Sequence, residues 1–306
     1  METMESGRVT RRKRMAPHIW LIASFFTRST PRMSAEIQEL MAPWAIAPEH
    51  VSVPTRHGAV NCLIYRPPAS STTPAVVLHV HGGAFIVRHP EQDRHVMCYL
   101  ASTLGVVVVS PDYDTAPAVR YPVSEEQAFD VAEWILRSGD ELGWDAARFA
   151  VSGASSGAKL AIGVCQQLFD AKLPAPRAAV LIVPVTDVTR ADRTSSIPKP
   201  AISPFVQRMV ERSYFADVTR RREPLASPRL DAQLASKMPD TLILTAEHDT
   251  LRPEGDELAS RLLEAGVDVE FSSYRAVDHG FAVDAPAPIV AAVLEQIGEF
   301  LGKRLR

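Results

Sequence analysis

Short apolar runs alternate, from residue 50 onwards, with longer segments in which apolar residues recur every three or four positions. The short runs predict buried strands, and the wider spacing predicts helices that pack against them. The predicted strands cover residues 51–53, 60–65, 75–80, 106–109, 149–151, 178–183, 241–245 and 269–274. The predicted helices cover residues 92–104, 124–136, 253–265 and 288–303, with another directly after residue 155. This alternation predicts an α/β fold whose mostly parallel central sheet of about eight strands carries helices on both faces.

One stretch, residues 188–237, breaks the alternation. It has no strand pattern, many polar residues, and prolines at positions 198, 200, 204, 224 and 228. So long an insertion inside a compact domain usually has a function. We therefore interpret it as a helical cap over the carboxyl edge of the sheet, together with the amino-terminal residues 1–49, while residues 50–306 form the main domain. A poorly ordered surface excursion is the alternative.

The insertion and the amino-terminal segment each contain one predicted helix. Residues 34–41 carry apolar side chains at helical spacing and are followed by Pro43, which ends the helix. Residues 204–215 predict a helix that exposes four large apolar side chains, those of Phe205, Met209, Tyr214 and Phe215. Both helices are predicted to belong to the cap.

The first 30 residues combine basic and apolar character. An apolar run at residues 19–26 follows five basic residues, which are Arg8, Arg11, Arg12, Lys13 and Arg14. The run is too short to span a bilayer, and no small-x-small cleavage site follows it. We therefore expect a cytoplasmic protein without stable membrane insertion, rather than an exported one. Contact between the basic segment and an anionic surface is the alternative.

The overall composition narrows the classes of partner. The chain is 46% hydrophobic with a net charge of −3, which is typical of a globular protein and gives no reason to expect nucleic acid. Cys62, Cys98 and Cys165 have no metal-binding spacing and are predicted to be reduced core residues. His79 and His81 alternate along a strand, but no further ligand follows at a suitable spacing. We expect no metal and no cofactor, and the sequence leaves open whether the chain forms a homodimer.

The sequence around Ser155 has the features of a sharp turn between a strand and a helix. Gly153 and Gly157 flank the serine in the pattern G-x-S-x-G. A serine on such a turn has strained backbone angles, and glycines at these positions avoid side chains that would clash. The amide of Ser156 would start a helix whose positive end favours developing negative charge. We predict Ser155 as a nucleophile, with an ordinary turn of small residues as the alternative.

Two further loops supply an acid and a base. Asp249 follows the strand at residues 241–245, and His279 follows the strand at residues 269–274. The order Ser155, Asp249, His279 is a known order of nucleophile, acid and base in serine hydrolases. His279 would accept the serine proton, and Asp249 would orient the imidazole and stabilise its charged form. Because the carboxyl ends of parallel strands meet at one edge, we predict these three residues to be a catalytic triad.

Other acids are weaker candidates for the third position. Asp278 adjoins His279, and adjacent side chains on a turn rarely face each other. Asp187 ends the preceding strand and is the reserve candidate. Glu254 and Asp256 are more simply explained as the start of a helix.

A glycine-rich loop follows the strand at residues 75–80 and reads His81-Gly82-Gly83-Ala84. Glycines let backbone amides approach a substrate oxygen without hindrance, as in loops that complete an oxyanion hole. We predict the amides of Gly83, Ala84 and Ser156 as donors, with Gly82 shaping the loop and His81 bracing it. His79, in the strand itself, is predicted to be a buried structural histidine.

Together these motifs extend over residues 50–304. The matching pieces are His81-Gly82-Gly83-Ala84-Phe85, Asp112-Tyr113, Ala116-Pro117, Tyr121-Pro122, Gly153 to Gly157, Asp249-Thr250-Leu251, Ala265-Gly266-Val267 and His279-Gly280-Phe281. With them, the chain resembles the hormone-sensitive-lipase-like carboxylesterases, the GDXG lipolytic family of the α/β-hydrolase fold. The resemblance implies a serine esterase that hydrolyses short- to medium-chain acyl esters through Ser155, Asp249 and His279.

Three residues depart from the pattern of that family. Ala84 stands where a third glycine is common, which the backbone amide tolerates. Ala154 replaces the acidic residue that usually precedes the serine, and Asp114 stands where arginine is common. We hypothesise that the changes at Ala154 and Asp114 are linked through the loss of a charge pair.

Other functions stay open at the level of sequence. Amide hydrolysis, lactone hydrolysis and acyl transfer use the same type of site, and the acceptor would be selected by the cap. A non-catalytic module that binds a small molecule is a second class, because a fold alone does not determine function. The moderate apolar content of the cap favours acetyl to hexanoyl esters over long-chain lipids.

Overall fold

One eight-stranded sheet organises the part of the chain that this computed structural model describes, residues 33–68 and 72–306. Its strands are β1 (Glu49–Thr55), β2 (Gly58–Tyr65), β3 (Ala75–Val80), β4 (Val107–Pro111), β5 (Asp145–Ala154), β6 (Ala178–Ile182), β7 (Asp240–Ala246) and β8 (Val269–Tyr274). They lie in the order β1-β2-β4-β3-β5-β6-β7-β8. β1 and β2 form an antiparallel hairpin, β2 also pairs antiparallel with β4, and the remaining pairs are parallel.

The helices between the strands agree with the predicted alternation. They are α1 (Ala35–Met41), α2 (Arg94–Leu104), α3 (Val123–Arg137), α4 (Gly139–Leu142), α5 (Ser156–Asp170), α6 (Pro204–Ser213), α7 (Leu234–Lys237), α8 (Arg252–Glu264), α9 (Phe281–Asp284) and α10 (Ala287–Arg304). Among the described residues, none of these helices has the length and apolar content needed to cross a bilayer. The predictions for residues 1–32 lie outside the described part.

Apolar side chains fill both faces of the sheet. Along β3, Val76 and Leu78 pack into a cluster on one face, which includes residues of α3, α5 and α8. Val77, between them, packs into a second cluster on the opposite face with residues of α1, α2 and α10. Because consecutive strand residues point to opposite faces, a strand covered on both sides is apolar throughout, as the run at residues 75–80 predicts. The predicted α/β fold with helices on both faces is confirmed.

The boundaries of β5 differ most from the prediction. The strand extends over Asp145–Ala154 rather than residues 149–151. It lies between β3 and β6, and its carboxyl-terminal half pairs with both of them. Polar residues at its amino-terminal end hide this extension from a pattern of apolar residues.

The insertion, residues 188–237, contains no strand in the structure, as predicted, but its apolar side chains are placed differently. α6 ends at Ser213. Of the four side chains predicted to be exposed, only that of Phe205 is, at 45%. Met209, Tyr214 and Phe215 are buried, so this part of the prediction is wrong. Tyr214 and Phe215 are buried because their rings both contact the ring of Phe85, which is distant in the sequence.

Candidate active site

Ser155 lies at the junction of β5 and α5, with backbone angles of φ 55° and ψ −119°. A residue with a side chain rarely adopts such angles. Its amide donates to the carbonyl of Ile182 on β6 at 2.8 Å, which helps to hold the turn. A Cβ atom at Gly157 would overlap the carbonyl oxygen of Val80, and one at Gly153 would overlap the backbone of Gly157. The close approach of β3, β5 and α5 therefore requires both glycines.

Three predicted residues meet beside this turn. The distance from His279 Nε2 to Ser155 Oγ is 2.7 Å, and that from His279 Nδ1 to Asp249 Oδ2 is 2.9 Å. The other carboxylate oxygen of Asp249 accepts a hydrogen bond from the amide of Leu251 at 2.9 Å. The Asp249 side chain is fully buried, and that of His279 is 10% exposed. Hydroxyl, imidazole and carboxylate thus form one hydrogen-bonded chain at the carboxyl edge of the sheet.

Electrostatics favour the charged form of His279. Burial alone would lower the pKa of this imidazole. The negative charge of Asp249 and the hydrogen bond to it outweigh burial, with smaller contributions from Asp278 and Asp284, so the pKa is raised above its ordinary value of 6.5. The imidazole can therefore take up a proton readily when a neighbouring hydroxyl releases one.

The other acids bind elsewhere. The carboxylate of Asp278 accepts a hydrogen bond from the backbone amide of His279 at 2.7 Å. It accepts another from the backbone amide of Ala201, in the insertion, also at 2.7 Å. Asp187 accepts a hydrogen bond from Arg229 Nε at 2.8 Å. Glu254 is buried and accepts hydrogen bonds from the insertion residue Arg193 and from the backbone after β6. Neither Asp278 nor Asp187 hydrogen-bonds the imidazole of His279 in the described structure.

The loop after β3 lies against the serine turn. Gly82, Gly83, Ala84 and Ser155 line one cavity. Gly83 and Ala84 have positive φ angles of 128° and 54°, and their amides donate to no acceptor among residues 33–68 and 72–306. The Gly82 amide is directed to Asp93 Oδ2 at 3.4 Å, which agrees with a role in shaping the loop. Two backbone donors beside Ser155 are therefore available to a ligand.

Two buried histidines, His81 and His79, lie next to this loop. His81 is fully buried, its Nδ1 donates to the carbonyl of Gly82 at 2.6 Å, and its ring stacks on Tyr113. Burial lowers its pKa to about 4, so the ring is neutral near pH 7. His79 is also buried and contacts Ser152 and Asp93. Both rings hydrogen-bond protein atoms, and the bracing role of His81 and the structural role of His79 stay predictions.

A cavity of about 330 Å³ opens beside Ser155 and His279. Its walls are mainly apolar and come from the strand ends, from α9 and from the insertion residues Ala201, Ile202, Val206 and Met209. A larger cavity, of about 640 Å³, lies between the insertion and residues 114–123 and contains neither Ser155 nor His279. The serine site is thus a concave, largely apolar site with a few polar groups, as is usual for small-molecule ligands.

One departure from the family pattern has a local explanation. The carboxylate of Asp114 pairs with Arg88 at 2.8 Å and accepts a hydrogen bond from the side chain of Gln127 at 2.8 Å. Ala154 lines the cavity beside Ser155. Since Asp114 has its own cation in Arg88, its charge needs no partner at Ala154. The proposed link between the two changes stays a prediction.

Comparison with known proteins agrees with this geometry. Residues 77–283 match the alpha/beta hydrolase fold family. The chain is 31% identical to the ethyl acetate hydrolase of Pseudomonas putida over 261 residues, which cover 82% of this chain and 81% of that protein. The chain belongs to the hormone-sensitive-lipase-like carboxylesterases of the alpha/beta-hydrolase fold.

This carboxylesterase is similar to further esterases. It is 31% identical to the carboxylesterase NlhH of Mycobacterium tuberculosis (strain CDC 1551 / Oshkosh) over 236 residues, which cover 73% of this chain and 72% of that one. The solved structure of an esterase from Pyrobaculum calidifontis superposes with a TM-score of 0.79 at 29% identity, covering 93% of this chain and 92% of the other. The predicted serine carboxylesterase is therefore confirmed as an enzyme class.

Several residues that shape the site were not predicted from the sequence. Asp93, which contacts both His79 and the Gly82 amide, gave no motif signal. The buried pair of Lys159 and Glu125 was also missed. A signal was present for this pair, because Lys159 is the one charged residue in the otherwise small and apolar stretch from Ser156 to Cys165.

Proposed function

We propose that this carboxylesterase hydrolyses short- to medium-chain acyl esters through an acyl-enzyme on Ser155. His279 acts as the general base and then as the general acid, and Asp249 orients it. The observation that carries the proposal is the hydrogen-bonded chain from Ser155 Oγ through both nitrogens of His279 to Asp249. The similarity to an ethyl acetate hydrolase supports a short acyl group.

The reaction proceeds in two halves. Ser155 Oγ attacks the ester carbonyl carbon while His279 Nε2 takes the hydroxyl proton. The tetrahedral intermediate collapses, the bond from carbon to the alcohol oxygen breaks, and His279 gives its proton to that oxygen. A water molecule then attacks the acyl-enzyme, with its proton moving to His279 and on to Ser155 Oγ. The products are a carboxylic acid and an alcohol, and Ser155 is regenerated.

An oxyanion hole stabilises both tetrahedral intermediates. Its donors are the backbone amides of Gly83, Ala84 and Ser156. The first two amides have no protein acceptor among the described residues, and the third belongs to the first turn of α5, where helix amides lack partners. Donors of this kind are held in place before the reaction, and each contributes about 10²- to 10³-fold to kcat.

The insertion acts as the cap of this site. One wall of the cavity is formed by Ala201, Ile202, Val206 and Met209, which supports this role. A domain boundary at residues 49/50, with residues 188–237 as the cap insertion, is part of the same proposal.

The protein is proposed to be cytoplasmic. Its three cysteines, Cys62, Cys98 and Cys165, are buried and unpaired, which supports a reducing compartment.

Kinetics of a serine variant test the proposal. We expect Ser155→Ala to lower kcat for p-nitrophenyl acetate and butanoate by roughly 10⁴- to 10⁶-fold, because the nucleophile is removed while binding is kept. Ser260→Ala is the matched control, since Ser260 is exposed on α8. This control should retain the wild-type rate.

Equal rates for the wild type and Ser155→Ala would contradict the proposal. Such a result would favour a site that binds a small molecule without hydrolysing it. If Ser155 were required but water were a poor acceptor compared with an added alcohol, acyl transfer would replace hydrolysis as the proposed reaction.

A further inference from the structure

Two cavities of very different size meet at Ser155. The cavity of about 330 Å³ is lined by both Ser155 and His279. A second cavity, of about 40 Å³, also reaches Ser155 but is not lined by His279. Ala84, Ser155, Ile202 and Val206 line both, so the reacting carbonyl lies where the two cavities join.

The position of His279 decides which part of an ester each cavity takes. In the first half of the reaction, the alcohol oxygen must receive its proton from His279 Nε2, so it has to lie within hydrogen-bond reach of that atom. The alcohol group therefore extends into the cavity that His279 lines, together with Gly280, Ala282 and Val283. The acyl chain, bonded to the opposite side of the carbonyl carbon, is left with the small cavity.

The small cavity restricts the length of the acyl chain. A water-sized group needs about 10–15 Å³ of such space, so about 40 Å³ accommodates about three groups. Its walls include the apolar side chains of Val188, Val210 and Leu251. The larger cavity, at about 330 Å³, has room for a much bulkier alcohol group.

Polar side chains also belong to the wall of the small cavity. Arg193, Gln207 and Glu211 lie there. Arg193 is 8% exposed and is held by Glu254 at 2.6 Å, so it cannot move aside without breaking a buried ion pair. A longer apolar chain would have to cover these polar groups, which is unfavourable.

We propose that this enzyme prefers esters that combine a short acyl group, in the range from acetyl up to butanoyl, with a long or bulky apolar alcohol. The acyl chain lies in the cavity lined by Val210, and the alcohol lies in the cavity lined by Val283. The inference rests on the proposed function, because it uses His279 as the general acid. It shortens the longest acyl chain expected from the sequence, where the range was acetyl to hexanoyl. The asymmetry between the two sides of the ester is new, since neither motif nor composition distinguishes them.

Two isomeric esters separate the acyl side from the alcohol side. Hexyl acetate and ethyl hexanoate have the same atoms and nearly the same hydrophobicity, but their long chains lie on opposite sides of the carbonyl. We expect kcat/KM for hexyl acetate to exceed that for ethyl hexanoate by at least tenfold, since poor fit of even one methylene changes rates by about 10- to 200-fold. The reverse preference, or equal rates, would overturn the proposal.

A matched pair of valine variants assigns the walls. Val210→Ala enlarges only the small cavity and should raise kcat/KM for ethyl hexanoate about tenfold, while Val210→Leu should lower that for ethyl butanoate. Val283→Ala enlarges only the large cavity. It should change kcat/KM for hexyl acetate without raising kcat/KM for ethyl hexanoate. If Val283→Ala improved ethyl hexanoate and Val210→Ala did not, the two cavities would be assigned the wrong way round.

The same experiment distinguishes this inference from the function beneath it. Hydrolysis that requires Ser155 but shows no preference between the isomers overturns the assignment of the cavities alone. Absence of Ser155-dependent hydrolysis for every ester in the set overturns the proposed function and the assignment with it.

Discussion

At the scale of single residues, the chemistry of the site depends on how three carboxylates surround one imidazole. Asp249 hydrogen-bonds His279 Nδ1, so the same charge that orients the ring also raises its pKa. Asp278 holds the backbone amide of His279 rather than its ring. Asp284 acts only through its charge. The base is therefore stronger than an isolated histidine although it is buried.

The pH dependence of kcat/KM tests this balance. A general base has to be neutral in the free enzyme, so activity falls as the pH drops through the pKa of His279. Because that pKa is raised, we expect the acidic limb of the pH profile above pH 6.5. Asp284→Asn removes one of the charges that raise the pKa and should move the limb to lower pH. A stopped or continuous ester assay between pH 5 and pH 9 measures both.

The matched control is Glu264→Gln, which removes an exposed carboxylate at the end of α8. It should leave the limb where it is in the wild type. A wild-type limb below pH 6.5 would contradict the electrostatic description of His279.

At the scale of elements, α5 does more than start at the nucleophile. One turn after Ser155, Lys159 is completely buried and forms an ion pair with Glu125 of α3. The rings of Phe85, Tyr121 and Phe215 surround its ammonium group at 5.4–5.7 Å. Phe85 belongs to the loop after β3, and Phe215 follows α6 in the insertion. The pair therefore lies where the nucleophile helix, the glycine-rich loop and the insertion pack together.

Breaking this pair should destabilise the fold strongly. We expect Lys159→Met to lower the free energy of unfolding by about 3–5 kcal/mol, because Glu125 is left as a buried charge without its cation. Lys159→Met combined with Glu125→Gln should regain most of the lost free energy of unfolding, because the introduced amide is neutral. Its oxygen can still accept the hydrogen bond that the Tyr214 hydroxyl donates to Glu125 in the wild type. Urea unfolding followed by circular dichroism measures both variants. A loss below about 0.5 kcal/mol, the size typical of a surface change, would contradict the account.

At the scale of the whole molecule, the sequence predicts the sheet and the site for the same reason. Each motif is local, and parallel strands bring every strand end to one edge. Ser155, Asp249 and His279 lie far apart in the chain, yet each lies within five residues of the end of its own strand. Their meeting at 2.7 and 2.9 Å follows from that topology.

Features that depend on long-range packing of irregular segments could not be predicted. Tyr214 and Phe215 pack against Phe85, and one of the two amides that donate to Asp278 is that of Ala201 in the insertion. No local periodicity encodes such contacts. The sizes of the two cavities beside Ser155 likewise depend on where the insertion settles.

Covalent labelling shows directly which serine is the nucleophile. Diethyl p-nitrophenyl phosphate reacts with an activated serine, displaces p-nitrophenol and leaves a diethylphosphoryl group on the hydroxyl oxygen. We expect one adduct per chain in the intact mass, mapped by peptide sequencing to Ser155, and none in Ser155→Ala. An adduct on Ser152 or Ser156, or no adduct on a folded wild-type protein that hydrolyses esters, would contradict the assignment of Ser155 as the nucleophile.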